Sequence, residues 1–371
     1  MKRFLCMALV TLFSIDAYSQ QKIEMSWYGA AQIGIEGKGW PDSATKTPFY
    51  RLPAKAESMV NKDVWQRGSN SAGLHVTFTT DASLIAVRWR LNNPSFYTPS
   101  LSSLSVAGMD MYMREADKWV WAAAKPPSAV RPPGHEGAFY PDTTTTFVRN
   151  LSKKLRDFRL YFPIYNGVDV VEIGVPAGSR IGKPKPDGKK PVVIYGTSII
   201  QGSAASRPGM TLVSQLNRRL GREVINLGFA GLCKMEPEMA QLLTELDPDL
   251  YIIDCLPNMS FAEITDRTFD FVKTISAARP KTPILIVENP NYAQTIWNAG
   301  TRTTIRAKNT RLLKEYNRLE QAGIKNLHYF KGSNSYGDDG EATFDGVHPN
   351  DLGFTNYANA LEPVIRGLLD R

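Results

Sequence analysis

Cysteine and histidine are scarce in this chain, with three cysteines and four histidines in 371 residues. So few cysteines exclude a disulfide framework, and stability must come from a buried core, which a chain of this length can build. Neither a CxxC pair nor any His/Cys cluster argues for a metal, and no cofactor is expected. Long apolar runs are missing as well. The stretch from Phe4 to Phe13 is too short for a permanent membrane helix, and no later segment is long and apolar enough to span a bilayer. The formal net charge is +8, but its distribution does not read as a nucleic-acid surface. Ser152-Lys153-Lys154-Leu155-Arg156 and Lys183 to Lys190 read as loop and linker, while Arg302, Arg306, Arg311, Lys314 and Arg318 dress the wet side of one helix. Solvated faces of this kind argue against nucleic acid, and a basic surface suits an anionic polysaccharide better.

The first residues have the form of a targeting segment. Lys2 and Arg3 precede the apolar stretch, and Ala17-Tyr18-Ser19 offers small residues for cleavage before Gln20. Residues 1–19 are therefore expected to be a signal peptide. Cys6 lacks the small residues that precede a lipidated cysteine, so a soluble exported product is expected, periplasmic or extracellular. Cys233 and Cys255 then remain; one bridge between them is open, with two buried free thiols the expected state.

Two textures divide the rest. From residue 23 to 181 the periodicity is two: Leu74, Val76 and Phe78 alternate with polar partners, as do Ile85, Val87, Trp89 and Leu91. His75 falls on the polar side of that first strand. Leu160 to Tyr165 and Val168 to Val175 read as strands joined at Asn166-Gly167, a hairpin signal. Short strands among Gly, Pro, Asp and Ser clusters predict an all-β sandwich of jelly-roll type. Residues 182–190, with two prolines, two glycines and four lysines, read as a linker. Over 191–371, strands at 191–195, 224–227, 250–255, 284–287 and 327–330 alternate with helical patterns. Five βα units predict a parallel, doubly wound, flavodoxin-like sheet, whose ligands bind at the carboxyl ends of the strands.

That rule gathers the candidate residues at one rim. Ser198 in Gly196-Thr197-Ser198 follows the first of these strands, and Gly228 to Gly231 the second. Asn258 follows the third, and Asp345-Gly346-Val347-His348 precedes the last helix. Serine needs a base to take its proton, and the base needs an orienting partner. Of the four histidines, His75 lies on a strand, His135 in the Pro132-Pro133-Gly134 loop, and His328 after Leu327. Only His348 combines an upstream carboxylate, Asp345, with a loop opening a helix. A catalytic trio of Ser198, His348 and Asp345 is the resulting expectation. Isolated DxxH and Gly-x-Ser are common, and the shared rim is what makes them informative together.

Over residues 191 to 371 the sequence resembles the SGNH (GDSL-type) hydrolase superfamily. The blocks are Tyr195 to Gly202, Asn226 to Gly231, Asp254 to Met259, and Asp345 to His348. The closer resemblance is to the subfamily with a preceding GxDLY-motif β-domain, seen here as Gly108-Met109-Asp110-Met111-Tyr112, with Met111 in place of leucine. Thr197 replaces the aspartate of GDS, and Pro257-Asn258-Met259 lacks the flanking Gly and Asp of many members. The resemblance implies that Ser198 attacks an ester and His348 takes its proton, with Asp345 orienting the imidazole. It also implies an oxyanion hole of the Ser198 and Gly231 N–H groups and the Asn258 amide. Secreted two-domain esterases of this class suggest an acylated saccharide, most simply acetylated, or an acylated small molecule as substrate. A lipid or thioester hydrolase, or a carbohydrate binder with an inactive esterase half, stays open. Glu288, Tyr292 and Trp297 are candidates to contact the leaving alcohol. Six of the seven tryptophans lie in the β-half, where they could serve sugar rings or simply core.

Overall fold

The computed structural model describes residues 23–94, 98, 101–127, 142–333 and 335–370. The expected signal peptide and the His135 loop lie outside the described residues. The β-half contributes β1 (Met25–Gly29), β2 (Ile35–Glu36), β3 (His75–Thr80), β4 (Ile85–Leu91), β5 (Met109–Glu115) and β6 (Lys118–Lys125). It continues with β7 (Asp142–Val148), β8 (Arg156–Tyr161), β9 (Val168–Pro176) and β10 (Ile181–Gly182). These form two antiparallel sheets, one ordered β1-β9-β4-β7 and the other β10-β3-β8-β5-β6, with β2 on β3. Alternation explains the sandwich: Val76 and Phe78 of β3, Val87 and Trp89 of β4, and Phe158 and Leu160 of β8 all turn into one core.

Two expectations for this half change. Asn166-Gly167 is not a hairpin turn, because β8 and β9 belong to different sheets and the chain crosses between layers there. The Asn166 side chain donates to the Asn93 carbonyl at 2.9 Å, and its own carbonyl accepts from Ser71 N at 2.9 Å. These bonds tie the crossing to both layers' loops, which local turn statistics do not capture. His75, expected on the wet side of β3, is 1% exposed. The polar face of β3 is covered by the other half of the molecule, so Thr77 beside it is buried too.

The α/β-half contributes β11 (Val192–Gly196), β12 (Val224–Gly228), β13 (Leu250–Asp254), β14 (Ile284–Val287) and β15 (Leu327–Phe330). All are parallel and ordered β12-β11-β13-β14-β15, so the chain reverses direction across the sheet beside β11. Near-continuous apolar strands are what a sheet covered on both faces requires, and Val192 to Tyr195 are fully buried. Helices Leu212–Leu220 and Asp351–Leu369 pack together over one face. Pro237–Thr244, Phe261–Ala278 and Ala299–Gln321 form a neighbouring row over the other. Ser260 starts one of them with a capping box to Glu263, and Asn350 caps the last by accepting from Gly353 N. Cys233 and Cys255 are both buried and free.

The halves are joined by buried chemistry. Trp40, Leu52, Ala56 and Val64 enter the same apolar cluster as Tyr195, Leu227 and Phe229. Asp110 of the GxDLY-like motif is fully buried and accepts from Arg207 at 2.6 Å, Gly209 N at 2.8 Å and Trp121 Nε1 at 3.1 Å. Tyr112, the motif's tyrosine, also meets Arg207 at 2.7 Å. Burial pushes the Asp110 carboxyl up, against the pull of Arg207. The motif is thus a strut across the interface. Asp110→Ala leaves Arg207 and two N–H groups without their acceptor, and should cost about 3–5 kcal/mol. Chemical denaturation measures this, and an unchanged unfolding midpoint would remove the strut's role.

Candidate functional site

Ser198 stands where β11 ends. Thr197 accepts from Ile199 N through its hydroxyl and caps the short helix Ser198–Gln201. A threonine therefore supplies the capping oxygen at the position where the related motif has aspartate. Gly228 at the end of β12 lets the neighbouring strand close on this helix. A Cβ there would lie 2.2 Å from Gln201 N and 2.6 Å from the Ile200 carbonyl carbon. Gly228 is thus required for close approach and is more than a loop glycine.

The last block meets the first across 150 residues. Ser198 Oγ is 2.9 Å from His348 Nε2, and His348 Nδ1 is 2.7 Å from Asp345 Oδ2. Asp345 Oδ1 also accepts from the backbone N–H groups of Val347 at 3.0 Å and His348 at 2.8 Å, so one carboxylate folds its own loop and holds the imidazole. Partial burial raises the Asp345 carboxyl, but the bonds from the His348 ring and backbone more than reverse this, leaving it below the usual carboxylate range. It stays ionised beside the ring.

Gly231 and Asn258 line the same cleft of about 480 Å³ as Ser198 and His348. Gly231 takes φ +78, a left-handed conformation that suits glycine. Asn258 ends the 3-10 turn Leu256–Asn258, and its Nδ2 donates to the Leu232 carbonyl at 2.7 Å. A side-chain amide has two N–H donors, so this anchor leaves one for a guest in the cleft. Gln201 fixes the glycine loop: its Oε1 accepts from Ala230 N at 2.8 Å. Its Nε2 reaches back to Asn70 Oδ1 at 3.1 Å and Ile164 O at 3.2 Å in the β-half. The structure therefore brings Ser198, His348, Asp345, Gly231 and Asn258 to one rim.

The three residues expected at the leaving alcohol lie elsewhere. Glu288 accepts from Tyr329 at 2.9 Å, and Tyr292 donates to Asn289 at 3.0 Å. Trp297 is 73% exposed. None lines the Ser198 cleft. Their loop instead touches the His348 loop, where Gln294 N donates to Gly346 O at 3.3 Å. The cleft is completed by Arg67, Thr98, Leu101 and Tyr165 of the β-half and by Ser203, Ala204 and Ala230. Sequence reading missed these, since a lone arginine or tyrosine in a loop carries no spacing signal. Three of the β-half tryptophans do other work. Trp89 is core, Trp40 donates to Glu245 across the interface at 2.9 Å, and Trp121 donates to Asp110.

A doubly wound sheet with a serine, a histidine and a carboxylate in line at its rim, attached to a β-sandwich, defines an acyl-hydrolase architecture. The family model for GDSL-like lipases and acylhydrolases matches residues 189–366, and the GxDLY model, the N-terminus of SGNH-hydrolase-type esterases, matches 25–181. A protein from Bacteroides ovatus described as a GDSL-like lipase is 32% identical with a TM-score of 0.86, over 94% of this chain and 98% of that one. The chain belongs to this GDSL-like, SGNH-type esterase family. The salicylyl-acyltransferase SsfX3 of a tetracycline biosynthetic pathway shares the fold at 21% identity and TM-score 0.70, over 86% of this chain and 89% of its own. A family two carbohydrate esterase from Cellvibrio japonicus shares it at 13% identity and TM-score 0.58, over 94% and 98%. No curated protein matches the chain.

The close approach at Gly228 yields a test. Gly228→Ala must push the Ser198 helix away from β12, and a displacement near 1 Å at a reacting group costs roughly a hundredfold in rate. Turnover of a small nitrophenyl ester should fall by about that factor. Full activity in folded Gly228→Ala would show that the helix position tolerates the added methyl group.

Proposed function

We propose that this protein is an exported serine esterase that removes an O-acyl group, most simply O-acetyl, from a carbohydrate. The observation that carries the chemistry is the line from Ser198 Oγ to His348 Nε2 and from His348 Nδ1 to Asp345, at 2.9 and 2.7 Å. Ser198 Oγ attacks the ester carbonyl as His348 takes its proton on Nε2, while Asp345 holds the ring with Nδ1–H toward the carboxylate. The oxyanion is met by the N–H groups of Ser198 and Gly231 and by the free N–H of Asn258. Donors of this kind contribute about 3–4 kcal/mol each to the transition state. His348 then returns the proton to the departing alcohol. Water repeats the sequence on the acyl-enzyme and frees the acid.

A second cavity supports the alcohol side of this reading. About 340 Å³ in volume, it is lined by Lys46, Gln66, Asn92, Asn93 and Asp169, and it shares Arg67 and Tyr165 with the Ser198 cleft. Amide and charged groups beside an aromatic hydroxyl suit a polyhydroxylated leaving group. The carbohydrate esterase among the fold neighbours adds support by analogy of fold alone. One observation favours a longer acyl chain: Leu101 and Ala204 continue from the cleft to Phe344 and Leu352, which are 59% and 47% exposed. A lipid-type ester is therefore the second reading. Among the described residues no helix is long and apolar enough to cross a membrane. Export rests on the leader-like first residues.

Ser198→Ala should abolish ester hydrolysis, and because it removes one hydroxyl at a strand end its melting temperature should stay within a few degrees of the parent's. Retained turnover in clean protein would eliminate Ser198 as nucleophile. Substrate class is separated by a series of nitrophenyl acetate, nitrophenyl octanoate, an acyl thioester and acetylated oligosaccharides. The proposal expects acetyl to outrun octanoyl at least tenfold and the acetylated oligosaccharides to be the best substrates by kcat/KM. A preference for octanoate would overturn the carbohydrate reading in favour of the lipid one.

A further inference from the structure

A separate group of side chains sits at the interface of the two halves, outside the Ser198 cleft. His75 on β3 is buried, and its Nδ1 lies 3.0 Å from the Gly73 carbonyl. That contact assigns the Nδ1 proton and turns Nε2 toward Glu36 and Glu223. Glu36 Oε2 is 3.3 Å from Nε2 and Glu223 Oε1 is 3.4 Å away, yet Nε2 has no well-aligned hydrogen bond to either. With Nδ1 carrying the proton, an Nε2 lone pair faces two carboxylate oxygens, which is repulsive unless a cation lies between them. One proton on Nε2 points at neither oxygen well.

A metal ion is also compatible with these spacings. The three donor atoms lie within 4.8 Å of one another. For tetrahedral zinc with bonds of 2.0–2.1 Å, neighbouring donors are about 3.3 Å apart, which matches the two distances from Nε2. The surroundings are those of a supported ligand set. Gly73 O fixes the imidazole, and Thr77 donates to Glu36 Oε2 at 2.6 Å. Gly37 N donates to Glu223 Oε2 at 2.8 Å. Lys183 Nζ is 3.9 Å from Glu36, and Arg159, bonded to Thr77 and Asn217, stands behind the group. Two carboxylates supply negative charge to a divalent ion, with Lys183 and Arg159 as competing cations beside them. Glu36 and Glu223 are partly exposed, which leaves a route for the ion and for water as a fourth ligand.

We propose that Glu36, His75 and Glu223 form a structural site for a divalent ion of the zinc class, clamping the β-half to the α/β-half. The ligands are far apart in sequence and no local motif announces them. An imidazole in the set favours zinc over magnesium. The ion belongs to folding and not to ester cleavage, since its ligands are absent from the lining of the Ser198 cleft.

The test uses the full mature chain, stripped with EDTA and titrated with zinc chloride while bound metal and thermal midpoint are followed. One equivalent of zinc should bind and raise the midpoint by several degrees, with magnesium chloride giving no shift. Glu36→Gln, at a partly exposed position that should fold, is expected to weaken zinc binding at least tenfold; His75→Ala should remove it. A chain that binds no zinc and melts unchanged would overturn the proposal and leave a proton as the occupant. Zinc binding equally tight in Glu36→Gln would also overturn it, placing the ion elsewhere on the surface.

Discussion

Arg51 comes from the β-half, yet its guanidinium is sealed between the two halves with no carboxylate beside it among the described residues. It donates to the carbonyls of Asn70 at 2.8 Å and Arg67 at 2.7 Å on its own side, and to Asn226 at 3.2 Å and Gly228 at 2.7 Å across the interface. Burial lowers it to about 9, still charged at neutral pH, and its flat face lies 4.7 Å from the Phe229 ring centroid. A buried charge without a counter-ion persists only where its donors are matched by fixed dipoles. Two of those dipoles, at Asn226 and Gly228, are the end of β12, and Gly228 and Phe229 lead directly into the loop carrying Gly231. Residues that form the reactive rim are thus positioned in part by a side chain from the other half. Gln201, bridging Asn70 and Ala230, repeats the pattern from the nucleophile's helix.

Much of this is legible in the sequence. A sheet covered on both faces declares itself by apolar strands such as Val192 to Tyr195, and the doubly wound topology then places Ser198, Gly231, Asn258 and His348 at one edge without further assumption. The sandwich was legible from period-two alternation, because one face of each strand must be dry. Alternation fails where the second face is covered as well. His75 and Thr77 read as solvated, and they are buried because a separate part of the chain lies over them. The crossing at Asn166-Gly167 failed for a related reason: turn chemistry reports the local bend, and which sheet receives the next strand is decided by distant partners. Arg51, Arg67 and Tyr165 carried no signal, since their meaning depends wholly on what packs against them.

Departures from the family pattern turn out to be conservative in physical terms. Thr197 offers a side-chain oxygen to Ile199 N, so the helix that begins at Ser198 keeps its cap without a carboxylate. Met111 fills the leucine position on the buried face of β5, an exchange of similar volume that cores tolerate. Asn258 keeps one amide hydrogen tied to Leu232 although its neighbours differ from the usual ones.

The interface also bears on ancestry. Fusion proteins built from independent modules join through a tether, and either module can be exchanged by recombination within it. Here the stretch before Lys189 is only part of the connection, because Trp40, Leu52 and Val64 complete an apolar cluster that also contains Tyr195 and Leu227. A crossover within residues 183–190 would bring in a foreign sandwich lacking Arg51, Asn70 and Asp110, and with them the partners of Gly228, Gln201 and Arg207. Such chimeras would lose the hydrolase along with the sandwich. The two halves are therefore expected to descend as a pair, with substitutions at positions 110 and 207 changing together or not at all.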